Sequence, residues 1–199
     1  MPPFIESIAC RDGQAQLLPY HQARVRATFA AFFPEHPPLV LSHLLSHIPI
    51  PPTGTHKLRI IYAEQAVRWE LLPYQLRPIT SLRLVKADSI SYAFKSEDRR
   101  AIQSLFQERG TADDILMIRD NYLTDSSYAN VVCWRNGKGF TPHLPLLPGV
   151  QRAYLLEARQ IEALPITVQS LLRDFEAVSL INAMIPLGGC TLPITAIKH

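Results

Sequence analysis

At 199 residues, 47% hydrophobic and only 19% charged, the chain is long and apolar enough to bury a real core, which excludes a disordered class. Its net charge of +3 is scattered over mixed-sign segments with no basic stripe interleaved with aromatics, which argues against nucleic acid as a partner. The longest apolar stretch, PPLVLSHLLSHIPIPP, is broken by Ser, His and Pro and falls short of the roughly 20 residues of a membrane helix, so no membrane partner is expected.

The N-terminal MPPFIESIACRDG lacks a basic region followed by an apolar core and does not read as a signal peptide. FIESIACRDG reads as a strand closed by an Asp-Gly turn. LLPYHQARVRATFAAFF has apolar residues at helical spacing and stops at Pro34. The prolines of PEHPP and IPIPPTG mark an irregular surface loop; His43 and His47 within it share an i, i+4 spacing but lack an acidic co-ligand, so no metal is expected. KLRIIYA and VRWELLPY read as strands, and YQLRPI as a connector, giving a small lobe over 1–76 and a larger one over 77–199.

In the second lobe SLRLVKA and SISYAF are strand-like, followed by a helix from Ser96 to Arg109 with Ser96 as N-cap and Glu97 and Asp98 in the first turn. DDILMIRDNYLTD and ANVVCWRNGKGFTP read as strand–turn–strand units around Asn121 and Asn136-Gly137. LLPGVQRAYLLEARQI is a proline–glycine entry into a helix, and AVSLINAMIPLGGCTLPI a closing strand–loop region. The class is α+β. Cys10, Cys133 and Cys190 are odd in number and lack metal spacing, which fits buried thiols in a reducing cytoplasm. Ser126 and Ser127 lack a Gly-x-Ser-x-Gly frame or a paired His, so they are not a nucleophile pair.

Five lysines punctuate the chain, and four have plain solvent roles; Lys95, in YAFKSEDRR, stands between an apolar run and a charged helix start. Taken singly, Lys95 is an edge charge, Asp125 in TDSS a turn residue, and LPGV a loop-to-helix entry. Together, and in order with HQAR of the first helix, they resemble the class IV (fold type IV) pyridoxal-phosphate enzymes, which include branched-chain and D-amino-acid aminotransferases and aminodeoxychorismate lyases. The resemblance rests on FIESIACRDGQAQLLPYHQARV, Lys95, TDSSYANV and LLPGVQR and spans most of the chain. It implies a small N-terminal α/β lobe, a larger C-terminal pseudo-barrel lobe and a homodimer.

The resemblance also implies roles. Lys95 would be the Schiff-base lysine, since pyridoxal 5'-phosphate needs a primary amine, and the released amine would move the proton at the substrate carbon. That work requires a lowered amine pKa. Asp125 would keep the ring nitrogen protonated, in place of the family's usual, longer Glu. Gly149 and the amides of Val150 and Gln151 would receive the phosphate at a helix N-terminus, with Gln151 where Thr is frequent. Arg24 would add a charge-assisted bond, although a solvated helix face is its plain alternative. Asn182 and Ala183 stand where the family has hydroxyl residues in a late phosphate-binding loop. Arg99 would lie near the cofactor's phenolic oxygen or be an exposed helix charge. Arg68 would hold a substrate carboxylate, although Arg68-Trp69-Glu70 lacks the Arg-x-His of D-amino-acid aminotransferases. The expected activity is amino acid/keto acid transamination; the alternatives are aminodeoxychorismate lyase, releasing pyruvate, and a pyridoxal-phosphate-binding homologue without turnover. The chain also looks short for the family, without the usual N-terminal hairpin and with reduced loops between Phe140 and Leu147.

Overall fold

The computed structural model describes residues 3–198. The chain divides into two compact units: residues up to Leu76 together with Phe94–Asp98, and Arg77–Ala93 together with the chain from Arg99 onward.

The first unit is a four-stranded antiparallel sheet, ordered β2-β1-β3-β4, with β1 at Phe4–Arg11, β2 at Gln14–Ala15, β3 at Thr55–Tyr62 and β4 at Val67–Pro73. Asp12 and Gly13 form the two-residue turn from β1 to β2 with φ of 47° and 82°, the left-handed pair such a tight hairpin demands. Helix α1, Leu18–Phe32, carries Pro19 in its first turn, where no backbone donor is needed. It ends before Pro34, whose ring disfavours helical backbone at Phe33 (φ −137°, ψ 52°). Val25 and Phe29 of this helix pack with Ile8, Leu58, Ile60 and Tyr62 in one core, each large side chain stabilising the unit by roughly 1.5–3 kcal/mol. A short helix α2, Leu41–Leu45, interrupts the proline-rich loop.

Residues 94–98 depart from the sequence reading. SISYAF is not a strand, and helix α3 covers only Arg100–Gln107. The cause is competition for backbone bonds. Ile5 donates its amide to the Lys95 carbonyl at 2.8 Å, Glu97 donates to that of Pro3 at 2.8 Å, and Phe94 meets the ring of Phe32 edge-on at 4.8 Å. These contacts hold the segment against β1, so it cannot join a helix. Ser96 therefore does not cap one; its Oγ accepts from the Asp98 amide at 3.1 Å in a local turn.

The second unit is built on a mixed parallel and antiparallel sheet ordered β10-β9-β8-β7-β6-β5-β13. Its strands are β5 Leu82–Lys86, β6 Asp114–Arg119, β7 Tyr122–Ser126, β8 Asn130–Arg135, β9 Lys138–Pro142, β10 Glu162–Leu164 and β13 Ile197–Lys198, and β11 (Ala177–Ile181) joins β8 with β12 (Thr191–Pro193) beside it. Two-residue turns at Asp120-Asn121 and Asn136-Gly137, all four residues at positive φ, fix the β6–β7 and β8–β9 registers. Helix α4 is Val150–Glu157. Helix α5, Val168–Asp174, has no counterpart in the sequence reading, although its signal is present: Thr167 accepts from the Ser170 amide, and the Ser170 hydroxyl accepts from the Thr167 amide, in a capping box. No helix among the described residues is long and apolar enough to cross a membrane.

Candidate active site

In the first unit, β1 and α1 build a buried charge cluster. Glu6, fully buried on β1, accepts from Arg24 Nε at 2.8 Å and Nη2 at 2.6 Å, and from His21 Nδ1 at 2.5 Å. His21 and Arg24 stand three residues apart on α1, which puts both on the face toward Glu6. Burial alone pushes the Glu6 carboxyl up, but the Arg24 charge and hydrogen bonds from Arg24 and His21 outweigh it and hold the group at about 2. Burial pushes His21 down against the pull of Glu6. Arg24 is thus a bidentate, pre-oriented guanidinium and not a solvated surface charge. Lys95 sits half-buried beside this cluster, and its charge adds to the downward push on His21.

Because the folded value of Glu6 lies below its ordinary 4.5, its contribution to stability is full above about pH 4.5 and is lost as pH falls through about 2. Glu6→Ala, which strands Arg24 beside a cavity, is expected to cost about 3–5 kcal/mol in urea unfolding and to flatten the acid limb of the stability curve.

In the second unit, Asp125 on β7 is buried. Its Oδ1 accepts from Asn130 Nδ2 at 2.7 Å and its Oδ2 from the Leu147 amide at 2.8 Å. Burial raises this carboxyl to about 6, against the lowering effect of those donors and of the Arg152 charge. Asn130 also donates to the Leu147 carbonyl at 2.8 Å, tying the strand to the chain that enters α4. Gly149, the N-cap of α4, is where that approach is tightest: a Cβ there would lie 1.9 Å from Asn130 Oδ1. The glycine thus makes room for the asparagine that anchors the acid. Its backbone is ordinary (φ −74°), so the requirement is spatial, not torsional. Gly149→Ala is expected to displace Asn130 and cost about 1–3 kcal/mol, read as a lower urea midpoint with unchanged slope.

Beyond that glycine, the first-turn amides of Val150 and Gln151 have no helical carbonyl one turn behind them, and both residues are buried. Arg99 is half-buried; it donates from Nη2 to the Ser127 carbonyl, and its Nε is buried with no partner among the described residues. It precedes α3 and lies against the segment carrying Asp125, so it is not an exposed helix charge. Asn182 spends its Oδ1 on the amides of Met184 and Ile185, at 2.8 and 3.0 Å, and donates from Nδ2 to the Tyr128 carbonyl at 3.3 Å. That Asn-centred turn holds Ala183 half-buried. In the first unit, Arg68 on edge strand β4 is 70% exposed and pairs with Glu97 at 3.1 Å, so a substrate carboxylate would have to displace that glutamate.

Glu6, His21, Asn130 and Arg152 are functional candidates that the sequence reading did not single out. Glu6 and His21 belong to the quoted FIESIACRDGQAQLLPYHQARV, Asn130 to TDSSYANV and Arg152 to LLPGVQR, so all four were within the motifs. Ser126 Oγ accepts from the Ala129 amide at 3.1 Å and shapes a turn. No group of His, Cys, Asp or Glu among the described residues could hold a metal ion.

These residues fit pyridoxal phosphate by their own chemistry. A half-buried amine and an anchored guanidinium lie in the first unit; a carboxyl able to titrate near 6 is tied to a helix N-terminus in the second. His21 Nε2 and Arg99 Nε are buried polar atoms with no partner among the described residues, as expected of groups awaiting a polar ligand.

An uncharacterized Haemophilus influenzae protein is 29% identical over 187 residues, covering 92% of this chain and 98% of its own. A Haemophilus somnus crystal structure, provisionally named a 4-amino-4-deoxychorismate lyase, is 32% identical with a TM-score of 0.87, over 92% of this chain and 97% of that one. A hypothetical aminotransferase from Mycobacterium tuberculosis, in an α-ketoglutarate and PMP bound form, shares the fold at 16% identity and a TM-score of 0.79, over 99% and 81% of the two chains. The family described as Amino-transferase class IV matches residues 4–192, and this chain belongs to it.

Proposed function

We propose that the chain is a pyridoxal-phosphate-dependent class IV aminotransferase acting on an amino acid/keto acid pair. The observation that carries this reading is the Asp125–Asn130–Leu147 linkage, which sets a buried acid at a fixed distance from the amides opening α4. A ring nitrogen and a phosphate on one rigid cofactor require such a fixed spacing. When bound, the cofactor supplies the electron sink that labilises the substrate carbon.

The chain's own residues do the rest. Lys95 would supply the primary amine that holds the cofactor, and the same amine would carry the proton at the substrate carbon as base and then acid. Asp125 would be the carboxylate partner that keeps the cofactor's ring nitrogen protonated. Two of its bonds are already made, and a carboxylate has about four acceptor sites, so it can take one more. The amides of Val150 and Gln151 and the backbone around Asn182 and Ala183 would be phosphate donors, and Arg24 would be an anion-binding guanidinium. Gly149 admits no side chain beside Asn130, and Arg99 would hold the cofactor's phenolic oxygen. Arg68 receives the substrate carboxylate. The active species is a homodimer, tested by light scattering. It works in the cytoplasm, where buried Cys10, Cys133 and Cys190 stay as free thiols.

The absorption spectrum of purified protein with added cofactor tests this first. A colourless protein would sink both this reading and the lyase reading below, leaving a homologue without turnover. Conversion of that spectrum by ordinary amino acids, with keto acid released, supports transamination. The second reading, aminodeoxychorismate lyase, is favoured by the Haemophilus somnus relative and would show as pyruvate released from aminodeoxychorismate alone.

A further inference from the structure

The two edges of the first unit's sheet are built differently. On one side β2 is two residues long, too short to recruit another strand. On the other, β4 runs from Val67 to Pro73 in unbroken register with β3, without a bulge or a lysine and with no proline before its last residue, so nothing defends that edge. Its bonds to β3 fix where its free backbone groups point. The Ala63 amide donates to the Ala66 carbonyl and the Tyr74 amide to the Thr55 carbonyl, so the even-numbered residues of β4 bond to β3. The N–H and C=O groups of Val67, Trp69 and Leu71 therefore point outward, where no strand lies among the described residues. By alternation their side chains share one face, and Leu71 sets that face on the core. Val67 and Trp69 are nevertheless 46% and 43% exposed. An open edge and an uncovered stretch of core face coincide there.

We infer that a second copy of this chain closes the β4 edge, the two β4 strands pairing antiparallel about a two-fold axis at Trp69. The charges select this register. With the axis at position 68, Arg68 would face Arg68 of the partner subunit; with the axis at position 70, Glu70 would face Glu70 of the partner subunit. Like charges directly opposite are destabilising. With the axis at Trp69, Arg68 faces Glu70 of the partner subunit on both sides of it. The outward backbone groups then meet as well: Trp69 exchanges bonds with Trp69 of the partner subunit, and Val67 with Leu71 of the partner subunit. Registers that pair odd with even positions leave those groups unmet. The exposed charges choose the register and add little affinity. Arg68, with five donors, keeps N–H groups for a carboxylate. The stabilisation comes from covering Val67 and Trp69 and from the cross-strand indole pair. The inference rests on the homodimer of the preceding section and names its contact; the cofactor plays no part in it.

The test uses the full chain without cofactor, and sedimentation equilibrium should show a dimer. Trp69→Lys sets two ammonium groups face to face on the axis and should raise the dimer dissociation constant at least about tenfold. Leu144→Lys, at an exposed site of the second unit, should leave it unchanged. Disulfide trapping with a mild oxidant reads the register. Cα atoms of a bonded antiparallel pair lie about 5.5 Å apart, within reach of a disulfide, so Trp69→Cys should link into a covalent dimer. In the same register the two Cα atoms at position 70 lie about 8 Å apart, so Glu70→Cys should run as a monomer on a denaturing gel. Cys10, Cys133 and Cys190 are buried and should not link. A monomeric parent, an unchanged constant in Trp69→Lys, no link in Trp69→Cys or an equal one in Glu70→Cys each overturns the inference. No measurement contains pyridoxal phosphate, so a colourless protein would defeat the proposed function while leaving this result standing.

Discussion

Lys95→Ala is expected to abolish the absorption band formed with added pyridoxal phosphate and to lower turnover by at least about 10³-fold, because covalent attachment and proton transfer are lost together. The fold should survive. What holds residues 94–98 in place is the Lys95 carbonyl taking the Ile5 amide, the Glu97 amide donating to Pro3, and the Phe94 ring edge-on to Phe32. An alanine at position 95 keeps all three. The urea midpoint should therefore move by no more than about 1 kcal/mol in free energy. Colour and activity retained in this variant would show that Lys95 only fastens the segment.

Asp125→Asn should bind cofactor and still lose turnover by about 10²–10³-fold, since the amide cannot hold a pyridine nitrogen protonated. With phosphate binding assigned by the proposal to the α4 amides, cofactor affinity should change little. The variant also makes a pH prediction on cofactor-free protein. The folded carboxyl titrates at about 6 against an ordinary 3.8, so the folded state holds that proton more tightly than the unfolded one. Stability from this group is therefore greatest below about pH 3.8, declines as pH rises, and is fully lost above about 6. Thermal melts of the parent should show this decline and those of Asp125→Asn should not. Unchanged turnover in the variant would break the electron-sink assignment.

Both variants act on residues legible from local sequence, because the elements around them carry their own signals. The Asp12-Gly13, Asp120-Asn121 and Asn136-Gly137 turns set three hairpins through backbone that only a few residue types adopt readily. Pro34 ends α1, and Gly149 opens α4. Helix α5 was equally legible through Thr167 and Ser170. Residues 94–98 were not, because their local pattern of Ser, Glu and Asp before apolar residues favours a helix start, and only strand β1, some ninety residues earlier, decides otherwise.

The order of the motif residues and the chemistry each side chain can perform were properties of the chain alone: an amine at 95, a carboxyl at 125, a glycine ahead of free amides at 149. Tertiary packing decided which partners those groups meet. It placed Glu6 under Arg24 and His21, gave Gly149 to Asn130, and spent Arg68 on Glu97. The physical reason is range. Turns and caps are fixed by bonds within a few residues, whereas buried charges are settled by whichever distant group lowers their cost of leaving water.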